Sequence, residues 1–231
     1  MARDDFWKQV DDELSRHDLL QHPFYQAWSA GELTLDELAS YGRQYLNHVA
    51  AFPVYLTALH ARLPEGETRK AVLRNAADEE VHGTSHADLW RQFVNGVEQD
   101  HPGDREEVLP EIHALVATFH DLGREAPPAA ALGAFYAYES QVPRIAAEKE
   151  AGLVRFYGAG ESTCAYFRLH KTADIHHAHV WRQLIELEIE NAPGKTAHAL
   201  QGVRRGAQAL WRALDGIEAA RQQRRAALAV H

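Results

Sequence analysis

The octapeptide HKTADIHH, residues 170–177, lies within a run of helical periodicity that extends from about Ser162 to Glu190. In that run His170, Asp174 and His177 stand at positions i, i+4 and i+7, so they share one face of the predicted helix. Large apolar residues continue the same face toward its C-terminal end. An acid and two imidazoles are therefore expected to point into the protein core.

Two more predicted helices carry ionisable residues on their apolar faces. On the helix from about Glu67 to Val97, Glu79 and His86 are seven residues apart and would lie about two turns apart on one face. On the helix from about Ala129 to Leu153, Glu139 interrupts a stripe of apolar residues spaced by threes and fours. Three helices thus bring three carboxylates and three imidazoles into the core.

These six side chains need a compensating partner, because burying an unpaired carboxylate costs several kcal/mol. A divalent first-row metal ion supplies that partner, since carboxylate oxygens and neutral imidazoles are suitable ligands for it. The closest helical pattern is the di-iron carboxylate bundle, in which inward-facing Glu and His residues hold two metals. The sequence therefore predicts a two-metal site formed by Glu79, His86, Glu139, His170, Asp174 and His177.

Spacing alone leaves two points open at this site. Any single buried His or Glu is more often a hydrogen-bonded core residue than a ligand, so the prediction depends on the whole set. The string Glu79-Glu-Val-His82 has the Glu-x-x-His form of ferritin-like sites, which keeps His82 as a rival to His86. His176 and His179 point off the ligand face and are interpreted as surface residues.

Helical periodicity recurs over the rest of the chain, without a convincing alternating strand pattern. Thr34-Leu-Asp-Glu37 is a capping box that opens one helix, and Pro53 and residues 63–66 are interpreted as breaks after it. The sequence predicts an all-α fold, a single-domain helical bundle over residues 1–231 with about seven to eight helices, a core from about 5 to 222 and a frayed tail. Further helices are expected from about Asp5 to Leu20, from Pro23, from about Asp104 to Leu122, and after Gly194.

Composition narrows the class of protein. The chain has 231 residues and a net charge of −9, which argues against nucleic acid as a partner. The basic tract from Arg204 to Arg225 is interpreted as the solvated face of the last helix. The single cysteine, Cys164, argues against an iron–sulfur cluster and suits a reducing compartment. No stretch approaches the ~20 apolar residues of a membrane span and no apolar leader is visible, so we expect a cytoplasmic protein without a membrane partner.

Several longer strings carry a family resemblance. They include His22-Pro-Phe-Tyr25, Ala51-Phe-Pro-Val-Tyr-Leu56 and Tyr138-Glu-Ser-Gln-Val-Pro-Arg-Ile145. With the ligand pattern, they resemble the haem-oxygenase-like di-metal oxidases, and within that group the family of the Chlamydia protein associating with death domains and its bacterial relatives. The resemblance runs from about His17 to Glu190 and implies a haem-oxygenase-like fold.

The resemblance also implies an activity. Members of that family are 4-aminobenzoate synthases, which feed folate biosynthesis and build the product from their own side chains. Matched residue by residue, Tyr25 would supply the ring and Lys149 the amino nitrogen, with Tyr138 and Tyr166 near them. The matched ligands are the six named above, which selects His86. The implied cofactors are two first-row metal ions, Fe/Fe or Mn/Fe, with O2 and an external reductant as co-substrates, and relatives suggest a homodimer.

Other interpretations stand beside this one. Without the resemblance, Tyr25 would be a core tyrosine and Lys149 a snorkelling surface lysine. A conventional di-iron oxidase acting on an external small molecule is the serious alternative. The same fold also hosts pyrroloquinoline-quinone synthase, which needs no cofactor, and a thiaminase-like hydrolase whose cysteine nucleophile would be Cys164. A protein-interaction role, suggested by the name of the resembled protein, does not explain a buried polar site.

Overall fold

The computed structural model describes residues 3–98, 106–192 and 194–229, and all regular secondary structure in these ranges is helical, which confirms the predicted all-α fold. None of these helices combines the length and the hydropathy of a membrane-crossing segment. The predicted domain limits at residues 1 and 231, and the helix start predicted at Asp104, lie outside the described residues. The helices are α1 (Arg3–Arg16), α2 (Pro23–Ala30), α3 (Leu35–Arg62), α4 (Glu67–Glu80), α5 (His86–Glu98), α6 (Pro110–Arg124), α7 (Pro128–Glu139), α8 (Val142–Tyr157), α9 (Glu161–Asn191) and α10 (Lys195–Leu228), with a short 3-10 turn, Leu19–Gln21, before α2.

Helix α7 forms the centre of the bundle. Every residue from Ala129 to Glu139 is buried, and α6, α9 and α10 pack around it. Glycines let α10 approach α7 closely. A Cβ atom added to Gly202 would lie 1.9 Å from the Ala130 carbonyl oxygen, and one added to Gly133 would lie 2.3 Å from the Ala199 carbonyl oxygen. The two backbones therefore touch, and this contact holds the N-terminal half of α7 against α10.

Helix α3 begins where the capping box predicts. The Thr34 hydroxyl accepts a hydrogen bond from the Glu37 backbone N–H, and the Glu37 carboxylate accepts one from the Thr34 backbone N–H at 2.9 Å. The break predicted at Pro53 is wrong, because this proline lies inside α3, which continues to Arg62. Large buried side chains follow Pro53 on the same helix, and their packing offsets the hydrogen bond that a proline cannot donate.

The single helix expected from about Glu67 to Val97 is wrong, because the chain breaks between α4 and α5. Gly83 in this break has a φ of +88°, a left-handed conformation that does not continue a right-handed helix. The break is also solvent-exposed, with Val81 at 70 %, so no buried apolar face holds a helix together there. Glu79 and His86 consequently lie near the facing ends of two helices rather than two turns apart on one.

The helix expected from about Ala129 to Leu153 is also divided, into α7 and α8. Pro143 lies in the first turn of α8, where a residue without a backbone N–H costs least. The sequence predicts a kink at this proline, and the structure has a helix break just before it. These two breaks raise the number of α-helices in the described ranges to ten, above the predicted seven to eight.

The arginines of the basic tract are mostly exposed, as interpreted, with Arg221 as the buried exception, and three of them pair with acids on other segments. Arg204 pairs with Glu13 at 3.2 Å, and Arg225 pairs with Glu37 at 2.6 Å. Arg224 pairs with an acid in the segment before α6. These partly exposed pairs attach α10 to α1 and α3, and each contributes at most about 1 kcal/mol.

The substitution Gly202→Ala tests the close packing of α10 on α7. The added methyl group must push the Ala130 backbone away, so we expect the free energy of unfolding to fall by about 1–3 kcal/mol. The strain outweighs the gain of about 1 kcal/mol in helix propensity that alanine brings, so the net effect is destabilising. Urea denaturation measures it. Gly160→Ala is the control, because no atom of the described residues lies within 4 Å of a Cβ atom added there. Equal stabilities for the two variants would contradict the packing account.

Candidate active site

All six predicted metal ligands are buried, and the structure brings them together at one place in the core. They come from four helices, two of which contribute only a terminal residue to the set. The six are Glu79 near the C-terminal end of α4, His86 at the start of α5, Glu139 at the end of α7, and His170, Asp174 and His177 in the middle of α9.

One part of the site is rich in histidine. His86 Nδ1 lies 2.7 Å from Glu79 Oε2, and His170 Nε2 lies 3.1 Å from His86 Nδ1. The ligand atoms of these three residues all lie within 4.8 Å of one another. His170 Nδ1 donates a hydrogen bond to the Tyr166 backbone carbonyl at 2.7 Å, which leaves its Nε2 lone pair directed at the other two residues. We call Glu79, His86 and His170 the histidine-rich group.

The other part is rich in carboxylates. The ligand atoms of Glu79, Glu139 and His177 also lie within 4.8 Å of one another. His177 Nδ1 lies 3.5 Å from both Glu139 Oε1 and Asp174 Oδ1. We call Glu79, Glu139, Asp174 and His177 the carboxylate-rich group. Glu79 belongs to both groups, so it would take part in holding an ion in either of them.

Three buried atoms of the carboxylate-rich group have no hydrogen-bond partner among the described residues. They are Glu139 Oε1, Asp174 Oδ1 and His177 Nδ1. Leaving such groups unpaired in a core is expensive, and two oxygens with one imidazole nitrogen around a common space form a donor set typical of first-row metals. The residues present therefore fit a metal ion at this position.

The protonation of the carboxylate-rich group follows from its burial. Burial raises the pKa of Asp174 and of Glu139, and the neighbouring carboxylates raise both further. Burial alone would lower the pKa of His177, but Asp174 and Glu139 outweigh it and raise that pKa. Each of these shifts favours the protonated form of its group in the absence of a metal. A metal ion displaces such protons when it binds.

His82, the rival to His86, lies outside this cluster. Its side chain is 64 % exposed, and its Nδ1 lies 2.8 Å from Asp78 Oδ1 at the surface. The structure therefore brings His86, and not His82, to the other candidate ligands.

Tyr25 and Lys149 are buried next to each other, 124 residues apart in the sequence. Lys149 Nζ lies 2.9 Å from the Tyr25 hydroxyl and is also hydrogen-bonded to the Tyr41 hydroxyl. The Tyr25 and Tyr41 hydroxyls are themselves 3.0 Å apart. We call these three residues the Tyr–Lys triad. The interpretation of Lys149 as a snorkelling surface residue is wrong.

The amine of Lys149 is surrounded by aromatic rings. Its Nζ lies 4.2 Å from the centre of the Tyr25 ring and 4.6 Å from that of Tyr41. Burial lowers the pKa of Lys149 well below its ordinary value. A neutral amine with a free lone pair is the expected form, and this is the form that acts as a nucleophile. Four further rings complete the enclosure, those of Trp28, Tyr45, Trp90 and Phe167.

A small cavity lies beside Tyr25 and Lys149 of the Tyr–Lys triad. Its volume is about 20 Å³. Tyr25 and Lys149 line one side, and Tyr138 and Tyr166 line another. The Tyr166 ring stacks on the His170 ring with centres 3.8 Å apart. The two tyrosines that the resemblance placed near the site therefore lie between the triad and the ligand cluster.

Sequence reasoning missed Tyr41, which completes the triad. It also missed Tyr45, which lines the cavity, and Trp181 as a partner of Glu139, to which its Nε1 donates a hydrogen bond. A signal for Tyr41 and Tyr45 was present, because they are spaced at i and i+4 on the buried face of α3. The polar-on-apolar argument that found the metal ligands applies equally to that face.

Cys164 does not suit nucleophilic chemistry. Its side chain is fully buried, and burial raises the pKa of its thiol. The thiolate is the reactive form, so a protonated buried thiol is inert. The geometry gives no support to a thiaminase-like hydrolase.

Comparison with known proteins agrees with this arrangement. Residues 39–211 match a family described as iron-containing redox enzymes. A crystal structure of a domain of unknown function with a heme oxygenase-like fold, from Shewanella denitrificans, superposes with a TM-score of 0.79 over 96 % of this chain and 94 % of that one, at 15 % identity. The chain therefore belongs to the haem-oxygenase-like family of iron-containing redox enzymes, which confirms the fold that the sequence resemblance implied.

Two curated relatives are more specific. A protein of Nitrosomonas europaea named 4-aminobenzoate synthase is 40 % identical over 94 % of this chain and 92 % of its own length. A protein of Chlamydia trachomatis with the same name is 39 % identical over 92 % of this chain and 91 % of its own length. The similarity thus extends over nearly the whole chain.

The metal site makes a direct prediction. Asp174→Ala or His177→Ala removes a donor from the carboxylate-rich group, so each variant should lose at least one of up to two first-row metal ions per chain. Elemental analysis of the purified, metal-loaded protein measures this. His82→Ala is the matched control and should keep its full metal content at saturating metal, since His82 lies at the surface and contributes no ligand atom to the cluster. Full metal content in both ligand variants would mean that the site is misassigned.

Proposed function

We propose that this chain is an oxygen-dependent 4-aminobenzoate synthase that consumes its own side chains, with Tyr25 as the source of the ring and Lys149 as the source of the amino nitrogen. The observation that carries the proposal is the buried contact of 2.9 Å between the Lys149 amine and the Tyr25 hydroxyl. The names and the high coverage of the two curated relatives support it.

The size of the cavity favours an internal substrate. A volume of about 20 Å³ holds roughly one water molecule, whereas a cavity that accepts benzene measures about 150 Å³. An external aromatic substrate therefore has no room beside the triad, while the ring of Tyr25 is already there. This argues against the alternative of a conventional di-iron oxidase acting on an external small molecule.

The placement of the amine fits the product. In 4-aminobenzoate the nitrogen stands para to the carboxyl carbon, and in tyrosine the ring carbon para to Cβ is Cζ, which carries the hydroxyl. Lys149 Nζ lies beside that hydroxyl. Nitrogen delivery then requires a neutral amine, which burial provides. For Cβ of Tyr25 to become the carboxyl carbon, its bond to Cα would break and it would be oxidised, with O2 as the oxidant. The Cζ–O bond would be replaced by the bond to nitrogen, with the phenol oxygen leaving as water. The bond between Nζ and Cε of Lys149 would break to release the nitrogen.

Other residues of the chain hold and isolate this pair. Tyr41 binds both the phenol and the amine, so it fixes their relative orientation. Burial raises the pKa of Tyr138 and Tyr166 well above the ordinary value, so both remain neutral phenols. Oxidisable rings thus line the whole distance from the ligand cluster to Tyr25. The enclosed site excludes bulk water, which would divert a reactive ring.

The proposal includes a cofactor and co-substrates. The two ligand groups would hold two first-row metal ions, Fe/Fe or Mn/Fe, and these would supply with O2 the oxidising chemistry that side chains alone do not provide. An external reductant would be a further co-substrate. The family resemblance supports a homodimer, and the single cysteine of the chain suits the cytoplasm.

Isotope labelling tests the origin of the ring. The chain is produced with ring-labelled tyrosine, loaded with metal, reduced, and exposed to air in unlabelled buffer without an organic substrate. The label should be found in 4-aminobenzoate, and the product should level off at or below about one molecule per chain, because a spent side chain is not restored. Unlabelled product formed over many turnovers, with Tyr25 intact by mass spectrometry, would contradict the proposal.

Substitutions separate the two donors in the same assay. Tyr25→Phe should abolish product while the metals stay bound, since it removes the phenol and keeps the ring volume. Lys149→Arg keeps a cation but replaces the amine, so it should also stop product formation. Tyr157→Phe and Lys171→Arg are the matched controls, because Tyr157 bonds to the Leu33 carbonyl and Lys171 pairs with Glu150, away from the cavity. Both controls should retain product.

A further inference from the structure

Asp78 is an acid outside the ligand cluster that reaches into it. It precedes Glu79 near the end of α4. Its Oδ2 lies 3.3 Å from His177 Nε2, and its Oδ1 lies 2.8 Å from His82 Nδ1. The Asp78 side chain is 41 % exposed, whereas that of His177 is only 6 % exposed. A half-exposed carboxylate is thus the outer partner of a buried imidazole.

The two nitrogens of His177 face different surroundings. Nδ1 faces Glu139 Oε1 and Asp174 Oδ1, each at 3.5 Å, and has no hydrogen-bond partner among the described residues. Nε2 faces Asp78. An imidazole binds a metal through one nitrogen while the other donates its proton to an outer acceptor. A hydrogen bond from Nε2–H to Asp78 therefore leaves the Nδ1 lone pair directed into the carboxylate-rich group.

The contrast with His170 shows what Asp78 adds. His170 lies two turns earlier on α9 and uses the opposite nitrogen, since its Nδ1 donates to the Tyr166 carbonyl. That acceptor is a neutral backbone group fixed by the helix. The acceptor of His177 is a charged side chain from another helix, so it both orients the ring and makes its lone pair more basic.

We propose that Asp78 is a positioning residue for the metal centre. Through His177 it sets the ring orientation and the tautomer at the carboxylate-rich group, and it thereby strengthens metal binding there. His82 holds the second oxygen of Asp78 and so restrains its rotation. The proposal rests on the proposed metal centre but does not depend on 4-aminobenzoate being the product.

Metal titration of the folded chain tests this role with cobalt(II) as the probe, under anaerobic conditions. Calorimetry gives the affinity of each of the two ions, and the visible absorption band of cobalt reports its coordination. Asp78→Ala should lower the affinity for one ion by about 10–100-fold and change the absorption band of that ion. The affinity for the other ion and its absorption band should stay the same. Asp78→Asn retains an acceptor oxygen without the charge and should recover part of the lost affinity.

Three measurements distinguish positioning from a structural or a simple charge effect. The melting temperature of metal-free Asp78→Ala should match that of the parent chain. If this variant does not fold, the positioning role is tested by Asp78→Asn, which should lose affinity for one ion only. Glu80→Gln removes a neighbouring exposed charge and should leave both affinities unchanged. His82→Ala should lower the affinity for the same ion as Asp78→Ala does, but by a smaller factor.

Other outcomes would contradict the role of Asp78, the metal centre or the proposed function. Asp78 variants that bind both ions like the parent chain, or that lose affinity for both ions equally, would overturn the proposal. So would a loss in Glu80→Gln as large as that in Asp78→Ala. A parent chain that binds no cobalt would refute the metal centre and the role of Asp78 together. A parent chain that binds two ions and makes no 4-aminobenzoate would refute only the proposed function.

Discussion

The burial of six ionisable side chains at one place in a helical core is the constraint on which the rest of the structure depends. Burying three carboxylates and three imidazoles at one place is too costly in free energy unless a positive charge compensates the carboxylates. In the carboxylate-rich group, the raised pKa values of Asp174 and His177 favour their protonated forms, and three atoms have no hydrogen-bond partner among the described residues. A pair of metal ions would compensate the same groups, and Glu79 belongs to both of them. Helices α4, α5, α7 and α9 therefore have to converge, and the fold is arranged around that convergence.

Helix ends and close backbone contacts achieve the convergence. The break at Gly83 lets two short helices present their facing ends to the cluster, and the break before Pro143 places Glu139 at the end of α7. Glycines on α10 hold the N-terminal half of α7, the helix that ends in Glu139, at van der Waals distance. On the far side of the cluster, Tyr166 stacks on His170, and the phenol rings continue to the Tyr–Lys triad. One enclosed core thus holds both the candidate oxidising centre and the side chains that it would consume.

Local sequence patterns predicted the parts of this site that lie on one helix. The spacing of His170, Asp174 and His177 was sufficient because all three belong to α9. The same reasoning placed Glu79 and His86 correctly in the core but wrongly on one helix, since the periodicity passed over an exposed glycine turn. The contact between Tyr25 and Lys149 joins residues 124 positions apart in the sequence, so no rule on residue spacing predicts it. Only the family resemblance pointed to these two residues. Tyr41 was missed although its spacing with Tyr45 was visible in the sequence, whereas Asp78 and Trp181 were missed because their roles depend on which helices pack together.

Anomalous diffraction at the iron absorption edge tests the central claim most directly. Crystals of the chain would be grown with iron(II) under anaerobic conditions, and the anomalous map would locate each ion independently of any assumed ligand. The account predicts two peaks per chain, one in the histidine-rich group and one in the carboxylate-rich group, with Glu79 between them. A map without peaks at these groups, or with a peak beside His82 instead, would contradict it.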